Sequence, residues 1–303
     1  MGNVHILLFY KFVRIDNSTL FVEKHLEMCK KIGLFGKVLA AHEGINGSVS
    51  GTKAQTEKYK KYLTSIPEFS DIVFKEEVGL LHPFTKMVVR ERKEIIRLDK
   101  EVDMSKRGKY LSPKEFLDLY KNKEEVIILD ARNDYEYKAG KFKGAITPKI
   151  KTFRQFPKVA EMLKNKKDKK IVMYCTGGIR CEKASAYLID KGFKDVAQLE
   201  GGIITFCQQY PGTVWEGKCF VFDKRLISSV DSGNAPMTKC LYCDIPCDLY
   251  RNCKIAKCNA LINLCTRCEK ENMGCCSKKC ISDYKNSMLK KAVINMERKK
   301  LLN

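Results

Sequence analysis

The feature that most constrains the fold is the loop Cys175-Thr176-Gly177-Gly178-Ile179-Arg180, which lies between two segments of opposite periodicity. Residues 170–174 are apolar and partly β-branched, which predicts a buried strand. Residues 181–191 carry apolar side chains at helical spacing and end at Gly192, a helix stop signal. A buried strand that turns directly into a helix indicates a parallel sheet, and such sheets place their sites at the carboxyl ends of strands.

The loop residues indicate a reactive cysteine at position 175. Two glycines free the backbone to curl, so the N–H groups from Thr176 to Ile179 can converge on one point at the helix mouth. Arg180 adds a full positive charge, which favours Cys175 as a thiolate and stabilises an anionic adduct on its sulfur. The alternative is a buried structural cysteine beside a glycine turn. Four residues separate Cys175 from Arg180, one fewer than in a cysteine phosphatase loop, so the loop suits one extra sulfur better than a phosphate.

The segment from 98 to 218 predicts an α/β domain around this loop. A cap signature at Ser112-Pro113-Lys114-Glu115 begins a helix, and residues 125–130 predict a buried strand. A helix near 157–163 and a strand at 196–199 complete an alternating pattern, which predicts a parallel sheet covered by helices.

Two further residues are assigned supporting roles, Asp130 and Cys181. Asp130 ends a strand at the loop's edge of the sheet, where a structural role is favoured over a catalytic one.

The segment from 1 to 97 predicts an α+β domain. Its pattern is a strand at 6–13, a helix from Asn17 or Ser18 to Lys31, a hairpin within 36–50, a helix at 53–65 and a strand at 71–76. This order is the split βαβ arrangement of a ferredoxin-like fold. Asn46-Gly47 is a strong turn signal for the hairpin. His42-Glu43 beside it could be catalytic, but a bend needs only the glycines and Asn46, so a structural role is favoured. Residues 87–98 predict a charged strand, followed by a polar linker.

The segment from 219 to 303 could hardly fold on apolar burial alone. Eight of its cysteines form four pairs: Cys240/Cys243, Cys253/Cys258, Cys265/Cys268 and Cys276/Cys280. Such pairs predict zinc, because one turn of chain carries two thiolates to the same ion. The simplest scheme places one zinc on the first and third pairs and a second, cross-braced zinc on the other two. Unliganded reduced thiols and an iron–sulfur cluster are the alternatives. The tail after Asp283 is predicted to form a helix, which either contacts RNA or is a solvated end. Its basic residues are Lys290, Lys291, Arg298, Lys299 and Lys300.

Charge and cysteine usage narrow the class of protein. Lys and Arg number 57 against 36 Asp and Glu, and the net charge of +21 suits a polyanion such as nucleic acid or an anionic membrane, with a lysine-rich solvated surface as the equal alternative. Fifteen cysteines without an export signal predict a cytoplasmic protein in which metal or redox chemistry replaces disulfides. All four histidines precede the loop, which disfavours a Cys–His pair. No dinucleotide fingerprint, His-carboxylate iron triad or membrane-length apolar run is visible, so neither a nucleotide cofactor nor a membrane is expected.

Several motifs carry a resemblance to a known family. Those ahead of the loop resemble the first signature of the rhodanese family: Leu129-Asp130-Ala131-Arg132, Glu136, Gly140 and Gly144-Ala145. Leu199-Glu200-Gly201-Gly202-Ile203 resembles its closing signature, with Phe206 where many members have tryptophan. The string from Cys175 to Ser185 is similar to one subgroup, the three-part rhodanese-related proteins of the tRNA uridine hydroxylase family, and both flanking regions share the likeness.

This resemblance implies oxygen-dependent hydroxylation of the wobble uridine of tRNA to 5-hydroxyuridine. It implies tRNA as partner, molecular oxygen as co-substrate and Cys175, as thiolate or persulfide, as catalytic residue beside Arg180. It also implies that the amino-terminal domain helps to bind RNA, and a sulfur or electron donor would be a further partner. From the loop alone, a sulfurtransferase acting on thiosulfate or a persulfide carrier is the better-supported chemistry. The third hypothesis is a non-catalytic RNA-binding scaffold, which an intact Cys175 and Arg180 disfavour.

Overall fold

The structure, a computed structural model, describes residues 3–231 and 233–300, with the side chains of 291–300 left out. It contains two compact units, Met1–Asn234 and Ala235–Asn303. The first unit contains an α+β sheet and a parallel α/β sheet, and the second is a small cysteine-rich unit. The predicted fold class is confirmed, whereas the division into domains at 1–97, 98–218 and 219–303 stays a prediction.

The amino-terminal part of the first unit is a five-stranded sheet with two helices. Its elements are β1 (Val4–Phe12), α1 (Ser18–Ile32), β2 (Phe35–Ala41), β3 (Gly44–Gly51), α2 (Lys53–Thr64), a 3-10 helix (Pro67–Phe69), β4 (Phe74–Gly79) and β5 (Met87–Glu91). The strand order is β4-β1-β3-β2-β5, with β5 parallel to β2 and the other neighbours antiparallel. The first four strands have the order of the predicted ferredoxin-like fold. The predicted strand at 87–98 is shorter than expected and ends at Glu91.

The hairpin between β2 and β3 turns at His42-Glu43, so the prediction that Asn46-Gly47 forms this turn is wrong. Asn46 and Gly47 both lie within β3. A Cβ added to Gly47 would approach the ring of Phe9 to 2.8 Å and the side chain of Val38 to 2.9 Å. Glycine is therefore required here by close packing across the sheet and not by a turn.

The second part of the first unit is the predicted parallel sheet with helices on both faces. Its elements are β6 (Lys109–Leu111), α3 (Pro113–Lys121), β7 (Ile127–Asp130), α4 (Asp134–Ala139), β8 (Gly140–Phe142), α5 (Phe156–Met162), β9 (Ile171–Tyr174), α6 (Ile179–Asp190), β10 (Val196–Leu199), α7 (Gly202–Gln209) and β11 (Trp215–Gly217). Three 3-10 helices lie between these elements: Met104–Lys106, Phe153–Gln155 and Lys164–Lys166. The sheet order is β6-β10-β9-β7, all parallel, and β8 pairs separately with β11.

Strand β9 carries the loop out of the middle of this sheet. All four of its residues are buried, and they alternate between two apolar clusters. Met173 and Cys175 belong to the cluster on one face, and Val172 and Tyr174 to the cluster on the other. A strand buried on both faces explains the continuous apolar run in the sequence, and it holds the start of the loop rigidly.

A buried ion pair ties the end of β7 to its surroundings. The carboxylate of Asp130 accepts from Arg132 Nη2 at 2.7 Å and from the hydroxyl of Tyr174 at 2.7 Å, and both charged side chains are fully buried. The Arg132 guanidinium also donates to the carbonyl of Gly140 at 2.6 Å and lies 5.3 Å from the ring of Trp215. Asp130 thus joins the end of β7 to β9 through Tyr174, and to β8 through Arg132, which supports the structural role proposed for it.

The second unit has little regular structure around its cysteines. Its elements are β12 (Tyr250–Asn252), β13 (Leu261–Asn263), α8 (Thr266–Glu271) and α9 (Lys278–Lys300). Strands β12 and β13 pair antiparallel. The predicted tail helix is present as α9, but the side chains of Lys291, Arg298, Lys299 and Lys300 lie outside the described residues. Among the helices of residues 3–231 and 233–300, none is long and apolar enough to cross a membrane.

We expect Arg132→Ala to lower the free energy of unfolding of the first unit by about 3–5 kcal/mol, because Asp130 would remain as an unpaired buried charge. Trp215 is the single tryptophan of the chain and lies against Arg132, so its fluorescence during urea titration reports on this unit. The matched control is Arg154→Ala, whose half-exposed guanidinium lies 3.9 Å from Asp99 and should contribute less than about 1 kcal/mol. Equal losses in the two variants would contradict the structural role of the Asp130–Arg132 pair.

Candidate active site

Cys175 lies in the loop between β9 and α6 and is fully buried. Its sulfur accepts the backbone N–H of Gly178 at 3.2 Å. Gly178 has a φ of +105°, a conformation that side-chain-bearing residues rarely adopt, so the second glycine of the loop is required. The loop therefore does curl around the sulfur, as the sequence predicts.

The first turn of α7 fixes the loop from behind. The N–H of Ile203 donates to the carbonyl of Cys175 at 3.0 Å, and the N–H of Ile204 donates to the carbonyl of Thr176 at 3.1 Å. A Cβ on Gly202 would lie 2.5 Å from the carbonyl oxygen of Cys175. The Gly-Gly of the closing signature thus has a physical reason: it lets a helix terminus hold the loop carbonyls in place.

The surroundings of Cys175 favour its thiolate. Burial would raise the pKa of Cys175, but the thiol of Cys181, the charge of Arg180 and the backbone N–H groups of Arg180 and Cys181 outweigh it and lower the pKa to about 5. Cys181 stays a thiol, because burial and the neighbouring Cys175 raise its pKa well above the usual value. The structure thus brings Cys175, Arg180 and Cys181 together, and the thiol of Cys181 is a hydrogen-bond donor to the sulfur of Cys175.

Arg180 is held by a carboxylate that sequence reasoning did not single out for function. It is only 4 % exposed, and its guanidinium donates to Glu136 at 2.6 and 2.8 Å and to the hydroxyl of Thr176 at 3.1 Å. Glu136 lies on α4 and is fully buried. Two signals were available in the sequence: Glu136 is part of the first rhodanese signature, which assigns it no role, and it forms a capping box with Asn133 at the start of α4, which indicates only helix initiation.

The amino-terminal sheet covers the loop. A Cβ on Gly177 would lie 3.0 Å from Leu8, and one on Gly178 would lie 2.6 Å from the hydroxyl of Tyr10. That hydroxyl donates to Glu182 of α6 at 2.9 Å. The loop glycines are therefore also needed because β1 packs directly on them.

A second contact between the amino-terminal sheet and α6 involves Glu43. The sequence makes the His42-Glu43 pair a catalytic candidate, although it favours a structural role. Lys183 is buried on α6, and its ammonium group lies 2.8 Å from Glu43 and 2.6 Å from Glu94. Glu43 also accepts the backbone N–H of Ile95 at 2.7 Å. These contacts give Glu43 a structural role in joining the two sheets, while His42 is exposed.

A cavity of about 360 Å³ lies between the sheet and the loop. Cys175, Thr176 and Arg180 line its floor. A third wall comes from the segment after β11, where Val221 and Phe222 line the cavity. Arg225 of this segment pairs with Glu77 of β4 at 2.9 Å, which holds the segment against the sheet. The thiolate is therefore at the base of a partly open, largely apolar site.

Lys75 on β4 is a buried cation that the sequence did not reveal. It lies opposite Leu8 in the sheet, and its ammonium group is 5.2 Å from the centre of the Tyr10 ring. Burial lowers the pKa of Lys75, and the charges of Cys175, Glu182 and Glu200 partly oppose this. Lys75 thus adds positive potential on the sheet side of the thiolate.

The second unit gathers the eight paired cysteines into two clusters: Cys240, Cys243, Cys265 and Cys268, and Cys253, Cys258, Cys276 and Cys280. Within each cluster all four sulfurs lie within 4.8 Å of one another. The Cys243–Cys265 and Cys258–Cys276 sulfurs are 3.7 and 3.5 Å apart, close to the spacing of about 3.8 Å in a tetrahedron of sulfurs around zinc. Both clusters could hold a metal ion, and they follow the cross-braced scheme.

The fold and the loop together define a rhodanese-type protein with additional domains. Three family models match: an UPF0176 acylphosphatase-like domain at 4–95, a rhodanese-like domain at 112–209 and a rhodanese carboxy-terminal region at 216–281. Relatives named tRNA uridine(34) hydroxylase are 44% identical over 299 residues in Bacillus licheniformis (96% of this chain, 92% of that protein) and 44% over 306 residues in Staphylococcus carnosus (97% and 95%). The chain belongs to the tRNA uridine(34) hydroxylase family.

We expect the alkylation rate of Cys175 by iodoacetamide to be independent of pH from about 8 to 6 and to fall by half near pH 5, because only the thiolate reacts and protonation removes it. Mass spectrometry of the labelled peptide separates this thiol from the others. Arg180→Met should move the midpoint to higher pH, since it removes a stabilising positive charge, and the exposed control Arg154→Met should not. A wild-type midpoint near 8.5, the value of an ordinary cysteine, would rule out an activated thiolate.

Proposed function

We propose that this chain hydroxylates uridine 34 in tRNA, the reaction for which its relatives are named, and that the hydroxyl group is added at C5. The observation that carries the proposal is the near-full-length similarity to those relatives, together with an intact thiolate loop at the base of a cavity. We propose a cytoplasmic location, where this substrate is found, and a three-domain division in which the positive charge of the chain attracts RNA.

The overall reaction inserts one oxygen atom into the C5–H bond of uracil. With molecular oxygen as oxidant, the second oxygen atom leaves as water and takes up two electrons and two protons. These must come from a reductant outside the chain, for which a small thiol or a reduced sulfur carrier is the proposed class. Cys175 is the proposed catalytic residue, as thiolate or persulfide.

The neighbours of Cys175 have distinct proposed roles. The Gly178 N–H and the Arg180 charge stabilise negative charge on the sulfur or its adduct. Glu136 orients Arg180 through two hydrogen bonds, and the sheet keeps bulk water away from the thiolate. Thr176 to Ile179 supply the backbone cradle.

A sulfurtransferase is the second candidate, and the thiolate loop itself favours it. The loop would hold a persulfide on Cys175 as readily as any other small anionic adduct. The two functions differ in product, because one transfers sulfur to an acceptor and the other adds oxygen to uridine. Nucleoside mass spectrometry of tRNA from cells with and without the gene separates them.

We expect Cys175→Ser to reduce 5-hydroxyuridine in tRNA by at least about a thousandfold while the protein stays folded, because a serine hydroxyl is not ionised at neutral pH. The readout is nucleoside mass spectrometry of tRNA treated with purified protein, oxygen and a thiol. Cys29→Ser is the control, since Cys29 is a buried thiol in the core beneath the amino-terminal sheet. Full activity of Cys175→Ser would remove this residue from the reaction, and wild-type protein that transfers sulfur but makes no 5-hydroxyuridine would favour the sulfurtransferase.

We propose that the two cysteine clusters bind zinc. Four thiolates at tetrahedral spacing fit a structural zinc site, which would supply the stability that the small apolar core of this unit lacks. All fifteen cysteines of the chain, each within the described residues, are free of disulfides.

We expect two zinc ions per chain by metal analysis of anaerobically purified protein, because each cluster offers four ligands. Cys240→Ser should lower the content to about one. Cys247→Ser is the matched control, since Cys247 packs beside the first cluster without belonging to it, and should keep two. Iron with sulfide in place of zinc would overturn the assignment.

A further inference from the structure

Two rows of side chains cross the amino-terminal sheet directly above the loop. Strand pairing places Tyr10, Asn46 and Leu39 side by side in one row, and Leu8, Ser48 and Lys37 side by side in the next. All six residues line the cavity that contains Cys175. Because alternate residues of a strand share a face, this face presents Asn46 and Ser48 in the middle, Leu8 and Leu39 at opposite corners, and Tyr10 and Lys37 at the other two.

Asn46 has a fixed orientation. Its side-chain nitrogen donates to the carbonyl of Ile95 at 2.9 Å, and since a carbonyl can only accept, the amide cannot be turned around. The side-chain oxygen Oδ1 is therefore an acceptor. Within residues 3–231 and 233–300, no group donates to Asn46 Oδ1, and the hydroxyl of Ser48 has no hydrogen-bond partner. The cavity thus contains one free acceptor and one free hydroxyl, two residues apart on β3.

The remaining walls suit a flat aromatic ring. Phe222 lines the cavity although 59 % of its surface is exposed, and its ring lies 5.6 Å from the Arg180 guanidinium. Exposed aromatic side chains at the mouth of a pocket are the usual stacking surface for unpaired RNA bases. Lys37 is exposed at the rim, and in the part of the chain that the structure describes it forms no ion pair. The cavity volume is within the range of about 300–1,000 Å³ for small-molecule pockets.

We propose that this cavity binds the uracil of nucleotide 34, turned out of the anticodon loop, and that Asn46 selects uracil over cytosine. The inference rests on the proposed function. The N3–H of uracil donates to Asn46 Oδ1, a ring carbonyl accepts from Ser48, the ring stacks on Phe222, and Lys37 binds a neighbouring phosphate. Cytosine has no hydrogen on N3, so its N3 lone pair would face the lone pairs of Asn46 Oδ1 and the hydrogen bond would be lost.

The test uses full-length protein carrying Cys175→Ser, which binds without turnover, and two anticodon stem-loops that differ only in uridine or cytidine at position 34. Fluorescence anisotropy gives both affinities. We expect the uridine stem-loop to bind at least about tenfold more tightly, and Asn46→Ala to reduce this ratio at least about fivefold. Asn46→Gln, which keeps the amide but moves it by one methylene, is the second variant if Asn46→Ala does not fold.

Lys37→Met is the matched contrast on the same face of the sheet. Loss of a phosphate contact should weaken both stem-loops equally and reduce the salt dependence of binding, with the ratio between them unchanged. Equal affinity of the parent protein for both stem-loops, or an unchanged ratio in Asn46→Ala and Asn46→Gln, would overturn the base pocket. If selective binding is found but wild-type protein forms no 5-hydroxyuridine, the proposed function fails while the pocket stands.

Discussion

The structure depends on one buried charge arrangement, in which the Arg180 guanidinium pairs with the carboxylate of Glu136 and its positive charge also stabilises the thiolate of Cys175. A lone thiolate in the protein interior would take up a proton, and a lone carboxylate there would do the same. One cation shared between them stabilises both, and its position is set by α6 on one side and α4 on the other. Strand β9, the glycines of the loop and the start of α7 all hold this arrangement in place, so they form a single functional assembly.

The amino-terminal sheet turns this assembly into the floor of a cavity. Its contacts with α6 use two successive residues, Glu182 and Lys183. Tyr10 of β1 donates to Glu182, which also accepts from Tyr110 of β6 in the parallel sheet, while Glu43 and Glu94 pair with Lys183. The thiolate therefore lies beneath a sheet whose own side chains form the opposite wall, and selectivity for a substrate can be located on a different sheet from the one that carries the reactive sulfur.

Sequence reasoning was most successful where the signal is local. The strand–loop–helix around Cys175, the cap at Ser112 and the paired cysteines each depend on a few neighbouring residues, and the structure places them as the patterns indicate. Asn46-Gly47 misled because the local turn propensity was overridden by packing of Gly47 against Phe9 and Val38. The roles of Glu136 and Lys75 depend on contacts with residues 44 or more positions away, or across a sheet, and no periodicity reports these.

The interleaving of the two cysteine clusters has a consequence for how the chain is made. Cys253 and Cys258 of the second cluster lie in sequence between the halves of the first, and Cys265 and Cys268 lie between the halves of the second. The first set of four is complete only when residue 268 has left the ribosome, and the second only when residue 280 has left it. The first unit, Met1–Asn234, can therefore be translated in full before either ligand set is complete, so assembly of the two clusters follows synthesis of the first unit.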